Sequence, residues 1–193
     1  MELIGIFFIA CGLLVLAGIA KAVRPDDTAR ALLLMLPREI SQVPSFNVAR
    51  LAVRTVALVE AAVGASALLF PRSVTAALVA VSYTLFVCTV VYARRRGGPL
   101  STCGCFGRPD TPATGLHVVL NVVFAAASVT VALRPSQFTT LASLLAHQPW
   151  DGVPLLLACG AGVWLAYLAL SPLATLEAAR HLVGTPERKA VIA

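Results

Sequence analysis

Five long apolar runs dominate the pattern of this chain, at residues 3–23, 51–70, 74–93, 116–133 and 153–173. Each is close to the roughly 20 apolar residues that a helix needs to cross a bilayer. Charge is nearly absent inside the runs and gathers at their ends. The pattern predicts membrane-spanning helices, because a helix satisfies its own backbone polar groups where water cannot. The second and third runs are separated only by Pro71-Arg72-Ser73. Pro71 stops one helix and Ser73 is placed to cap the next, so a tight antiparallel hairpin is expected.

The polar intervals predict shorter elements. Asp26, Asp27 and Thr28 offer an N-cap to the apolar stretch 29–36, which Pro37 ends. That stretch is too short to span and reads as an interfacial or re-entrant helix. Residues 137–146 read the same way on the opposite side, with Trp150 as an interface anchor. Beyond Pro172, a polar helix is expected over 175–183, ending at Gly184. The first run does not read as a cleaved signal peptide. Glu2 precedes it, and its positive charges, Lys21 and Arg24, follow it. No internal repeat is evident.

Composition sharpens this into a fold class. Hydrophobic residues make up 59% of the chain and charged ones 12%, against about 25% charged in a soluble domain. Such a chain cannot cover itself with polar surface, so an all-α polytopic membrane protein is expected. Residues 1–133 would form a four-helix transmembrane core with a cysteine loop at 94–115. Residues 134–193 would supply an extra-cytoplasmic connector, a fifth transmembrane helix and a cytoplasmic tail. The net charge of +6 does not point to nucleic acid, because the basic residues mark the ends of apolar runs and so face the lipid bilayer. Of the 15 lysines and arginines, all but Arg72 and Arg134 fall on one side. The positive-inside rule then places the protein in the cell membrane with its N-terminus outside. The C-terminus and the cysteine loop face the cytoplasm.

Candidate chemistry centres on Cys103-Gly104-Cys105 in a loop rich in Gly and Pro. Five cysteines, three of them inside spans, are too few and scattered for a disulfide-stapled secreted domain. A disulfide between residues i and i+2 closes a small strained ring, which is easily reduced. Gly104 relaxes the backbone, and Arg94, Arg95, Arg96 and Arg108 lie close enough in sequence to favour a thiolate. Two thiolates also suit Cu(I), whereas zinc wants four ligands and only His117 is near. Incidental loop cysteines are the third reading.

Inside the spans, Glu60 stands near the middle of the second run, a costly depth for an ionisable group. Lys21 is its preferred partner. The pair reads either as a clamp fixing helix packing or as a proton-transfer or quinone-contacting site. His117 and Asn121 share one face of the fourth span. They suit interhelical hydrogen bonding, or a His accepting a proton from a thiol. Cys11, Cys88 and Cys159 read as small hydrophobes rather than a relay of thiols. Gly12, Gly18, Ala61, Ala62, Gly64 and Ala65 would let helices approach closely.

Several of these segments resemble one family. Ala17-Gly18-Ile19-Ala20-Lys21-Ala22-Val23-Arg24-Pro25-Asp26 is similar to the stretch that ends the first helix of MauE/DoxX-type membrane proteins. Glu60 with Gly64 resembles the ExxxG of their second helix. Cys103-Gly104-Cys105-Phe106-Gly107 resembles the MauE CxCFG signature, and Asn121 falls where that family often has Asn. The resemblance covers roughly residues 1–133, leaving the fifth span and the tail unaccounted for. It implies a four-helix bundle and a membrane component of disulfide formation or thiol electron transfer, acting with a thioredoxin-like or other redox partner. MauE proteins are linked to maturation of methylamine dehydrogenase, a disulfide-rich enzyme. The resemblance does not imply methylamine chemistry here. Carried over, Cys103 and Cys105 would be the redox pair and Lys21 and Glu60 the intramembrane polar pair.

The leading functional expectation is therefore a thiol–disulfide redox component, with a quinone as a further electron carrier that no motif marks. The alternative is a non-enzymatic subunit or anchor of a larger membrane complex, its cysteines dispensable or copper-binding. A transporter has less support, since five spans without inverted halves do not match that architecture. Sidedness departs from the family picture. Disulfide-forming partners normally work on the exoplasmic side, yet the charge count places the thiols inside.

Overall fold

The computed structural model describes residues 2–35, 45–96, 115–134, 146 and 153–170. These form six helices: α1 (Glu2–Val23), α2 (Pro25–Met35), α3 (Phe46–Leu69), α4 (Ser73–Arg96), α5 (Gly115–Leu133) and α6 (Val153–Leu170), with no strand among the described residues. All but α2 are long and apolar enough to cross a membrane. The protein is thus an all-α, multi-pass membrane protein, as composition and hydropathy predict.

Helix α1 is the axial post. Of its most apolar window 56% is buried, against 11% for α6, which makes α6 the most lipid-facing span. Phe7, Phe8, Leu13 and Leu14 of α1 meet Val79 and Tyr83 of α4 and Phe124 and Val131 of α5 in one core cluster. With lipid outside as apolar as the core, close packing rather than hydrophobicity must hold such helices together. The α1–α3 seam illustrates this. A Cβ at Gly18 would lie 2.6 Å from the Ala57 carbonyl oxygen, and one at Gly64 would lie 2.9 Å from that of Cys11. Only glycine permits both approaches. On the other flank of α1, Gly12 faces Val163 and Gly162 faces Ile9, which seats α6.

Helix α2, at 11 residues, is about 16 Å long at roughly 1.5 Å per residue and cannot span. It lies against the start of α3, where Ala29, Ala49 and Val53 form a small buried cluster with Leu33. It begins at Pro25, ahead of the expected cap at 26–28. Proline suits a first helical position, and Asp26 and Asp27 in the first turn favour the helix dipole.

Other boundaries also move, for physical reasons. Helix α3 starts at Phe46, before the apolar run, because its early arginines have partners. Arg50 Nε lies 3.2 Å from Asp26 Oδ1. Arg54 Nε donates to the Ala22 carbonyl at 3.1 Å, satisfying one of the orphan acceptors at the end of α1. In the α3–α4 hairpin the capping role falls to Thr75 rather than Ser73. The Thr75 hydroxyl accepts the Arg72 N–H at 3.0 Å and reaches the Phe70 carbonyl at 2.9 Å. Helix α4 runs through Arg94 and Arg95 to Arg96. Of the expected element at 137–146 only Ala146, which is helical, is described; the rest of it and the expected helix at 175–183, with Trp150 and Gly184, lie outside the described residues.

Substitution along the seam tests this packing. Gly18→Ala should destabilise the detergent-purified protein by about 1–3 kcal/mol through overpacking. Gly5→Ala, where a Cβ meets nothing within 4 Å, should be neutral or slightly stabilising. Thermal unfolding of the two variants side by side checks this.

Candidate functional site

The small-residue seam brings two charges together. Gly18 stands one turn before Lys21 and packs between Ala57 and Ala61, the residues flanking Glu60. Lys21 Nζ therefore reaches Glu60 Oε2 and forms an ion pair. Both side chains are largely buried, at 8% and 12% exposure. The Lys21 ammonium also lies over the Phe86 ring of α4, 4.8 Å from its centroid, a favourable cation–π distance. One pair thus joins α1, α3 and α4. Removing either partner leaves an uncompensated charge, which costs about 3–5 kcal/mol in a buried site.

Beyond the Phe86 ring lies a cavity of about 30 Å³. It is lined by Leu13, Leu14, Ala17, Tyr83, Phe86, His117, Asn121, Phe124 and Leu170. Asn121 is 6% exposed, and its carboxamide has no hydrogen-bond partner among the described residues, so it presents donors and an acceptor to this space. A void of this size holds about one water molecule. It is far below the ~300 Å³ of a small-molecule pocket, so it does not fit the quinone ring considered from the sequence, and no electron step is assigned to one there.

His117, fully buried on the same α5 face, lies with Nε2 3.0 Å from the Leu170 carbonyl oxygen. A carbonyl only accepts, so Nε2 carries the proton and donates. Leu170 is the last described residue of α6. His117 thus ties the fifth span to the core, which is the interhelical bonding expected of a buried polar group in lipid.

Tyr83 belongs to this cluster although the sequence pattern does not single it out. Its hydroxyl donates to the Ala10 carbonyl at 2.6 Å, and its ring meets Phe124 at 5.2 Å and Phe86 at 5.7 Å. A tyrosine deep in an apolar run, away from the interface belt, is the one signal that marks it.

Cys103 and Cys105 lie outside the described residues. The segment carrying them joins the end of α4 to the start of α5, at the end of the bundle where Arg50, Arg54, Arg94 and Arg95 also lie. Cys11 is buried, Cys159 half-buried and Cys88 exposed on α4, and all three are free thiols. Among the described residues no group of three His, Cys, Asp or Glu side chains is placed to hold a metal.

These features define a lipid-embedded helical bundle whose polar residues gather toward one charged end. Comparison with known proteins then supplies the family. The family model described as methylamine utilisation protein MauE matches residues 2–134, and the chain belongs to that family. The match runs from the start of α1 to the end of α5 and leaves α6 outside. No match is found among curated proteins or among solved structures.

The ion pair yields a test by double-mutant cycle. Glu60→Leu alone and Lys21→Met alone should each lower stability by about 3–5 kcal/mol. The double variant Lys21→Met/Glu60→Leu should recover most of that loss, since paired apolar replacements leave no lone charge. Denaturant titration in detergent measures the coupling.

Proposed function

We propose that this protein is a membrane thiol–disulfide redox component that assists disulfide formation or maturation of a partner through Cys103 and Cys105. The observation that carries the reading is the siting of a CxC pair, Cys103-Gly104-Cys105, on the segment between α4 and α5, bracketed by Arg94, Arg95 and Arg108. Positive charge lowers a thiol's pKa and favours the attacking thiolate. Membership of the MauE family supports a membrane role in maturing another protein.

In its oxidised state the chain carries a Cys103–Cys105 disulfide. A partner thiolate attacks one sulfur, forming a mixed disulfide and releasing the other cysteine as a thiolate. A second partner thiolate breaks the mixed bond. The partner leaves with a disulfide, and Cys103 and Cys105 hold two electrons and take up protons from water. A thioredoxin-like protein in its disulfide form then accepts the two electrons by the same two steps in reverse roles. Lys21, Glu60 and His117 hold the helices of the bundle in one arrangement. By the charge asymmetry, the N-terminus lies outside the cell membrane and the thiol loop on the cytoplasmic side.

Membranes quenched with a thiol alkylator and analysed by mass spectrometry should contain both the reduced and the bridged form of the Cys103/Cys105 peptide, in proportions that follow the oxidant. A pair fully reduced under every oxidant sinks the exchange reading and favours a non-enzymatic anchor of a larger complex. A membrane-impermeant maleimide should label Cys103 and Cys105 only after permeabilisation. Labelling in intact cells, with prior reduction, would place the loop outside instead.

A further inference from the structure

The cleft between the end of α4 and the start of α5 carries two of the arginines that bracket the thiol pair in sequence, and no step of the exchange uses the space between them. It is an open space of about 490 Å³ lined by Val91, Arg94, Arg95, Gly115, Val118 and Val119. Its two components are unlike. Three valines make apolar walls, and two exposed arginines bring two positive charges. The depth is also defined, because the apolar spans of α4 and α5 terminate at Arg95 and Gly115. The cleft therefore sits where hydrocarbon gives way to headgroups.

Neither guanidinium has an ion-pair partner among the described residues. Among the described residues, the carboxylates at this end are engaged elsewhere: Asp26 with Arg50, Asp27 with Arg30 and Glu60 with Lys21. Gly115 contributes by being small. A Cβ there would press on Arg94 Nη1 at 3.1 Å, so glycine leaves room for the guanidinium across the first turn of α5. The N-terminal N–H groups of that turn add a partial positive charge of their own.

We propose that this cleft binds the phosphate of an anionic phospholipid, with the acyl chains lying along Val91, Val118 and Val119. Basic pockets between spans, at headgroup depth, recognise such groups by charge and by bidentate hydrogen bonding to phosphate oxygens. The apolar walls select a lipid over a free anion. The site takes part in no bond-making step of the thiol exchange, although Arg94 and Arg95 also bracket the cysteine pair in sequence.

The test uses the full chain purified in a zwitterionic detergent. Thermal unfolding is followed while phosphatidylglycerol, phosphatidylcholine with the same chains, or inorganic phosphate is added. Phosphatidylglycerol should raise the Tm in a saturable way, and the other two should not. Each arginine removed should weaken the apparent affinity about fivefold. Arg94→Gln/Arg95→Gln should therefore lose most of the shift, while Arg72→Gln at the opposite end keeps it. Should the double variant not fold, the exposed Arg95→Gln alone provides the reading. An equal shift with phosphatidylcholine, an equal shift with inorganic phosphate, or an undiminished shift in Arg95→Gln would each overturn the proposal. Failure here leaves the redox reading untouched, because the alkylation experiment does not depend on lipid.

Discussion

A lysine and a carboxylate placed among apolar helices have only each other. That constraint organises the half of this bundle nearer its charged end. Lys21 and Glu60 meet because Gly18 lets α1 and α3 touch along their backbones. The same ammonium then rests on the Phe86 ring of α4. Three helices are registered by one contact, and a shift of either α1 or α3 by a turn would strand both charges. Apolar packing alone is less exacting here, since lipid competes for the same surfaces.

Two other buried polar groups repeat this logic with hydrogen bonds. Tyr83 reaches back to a carbonyl of α1, and His117 reaches the carbonyl of Leu170 on α6. Arg54 closes the end of α1 and Arg50 holds α2 against α3.

Much of this is legible in the order of the amino acids alone. The spans follow from hydropathy because lipid exposure imposes an apolar surface over a fixed length. Lys21 and Glu60 can be matched because Glu60 is the one carboxylate set deep in the apolar runs and Lys21 is the one lysine within them. The helix ends are less legible. Arg50 and Arg54 look like a boundary in sequence, yet they are helical because their heads find Asp26 and Ala22. Thr75 caps α4 through a turn geometry that Ser73 mimics in sequence. The role of Tyr83 emerges only with its neighbour, the Ala10 carbonyl. The docking of α6 depends on the meeting of His117 with Leu170, residues far apart in the chain. Such pairings are properties of the assembled bundle, not of any local pattern.

The direct test of this account is the ionisation state of Glu60 in the membrane. Infrared spectra of the reconstituted protein, compared with those of Glu60→Gln, isolate the absorption of this one side chain. The account predicts the band of an ionised carboxylate, shifted when Lys21 is replaced. A protonated acid carbonyl band in the unsubstituted protein, insensitive to Lys21→Met, would contradict it.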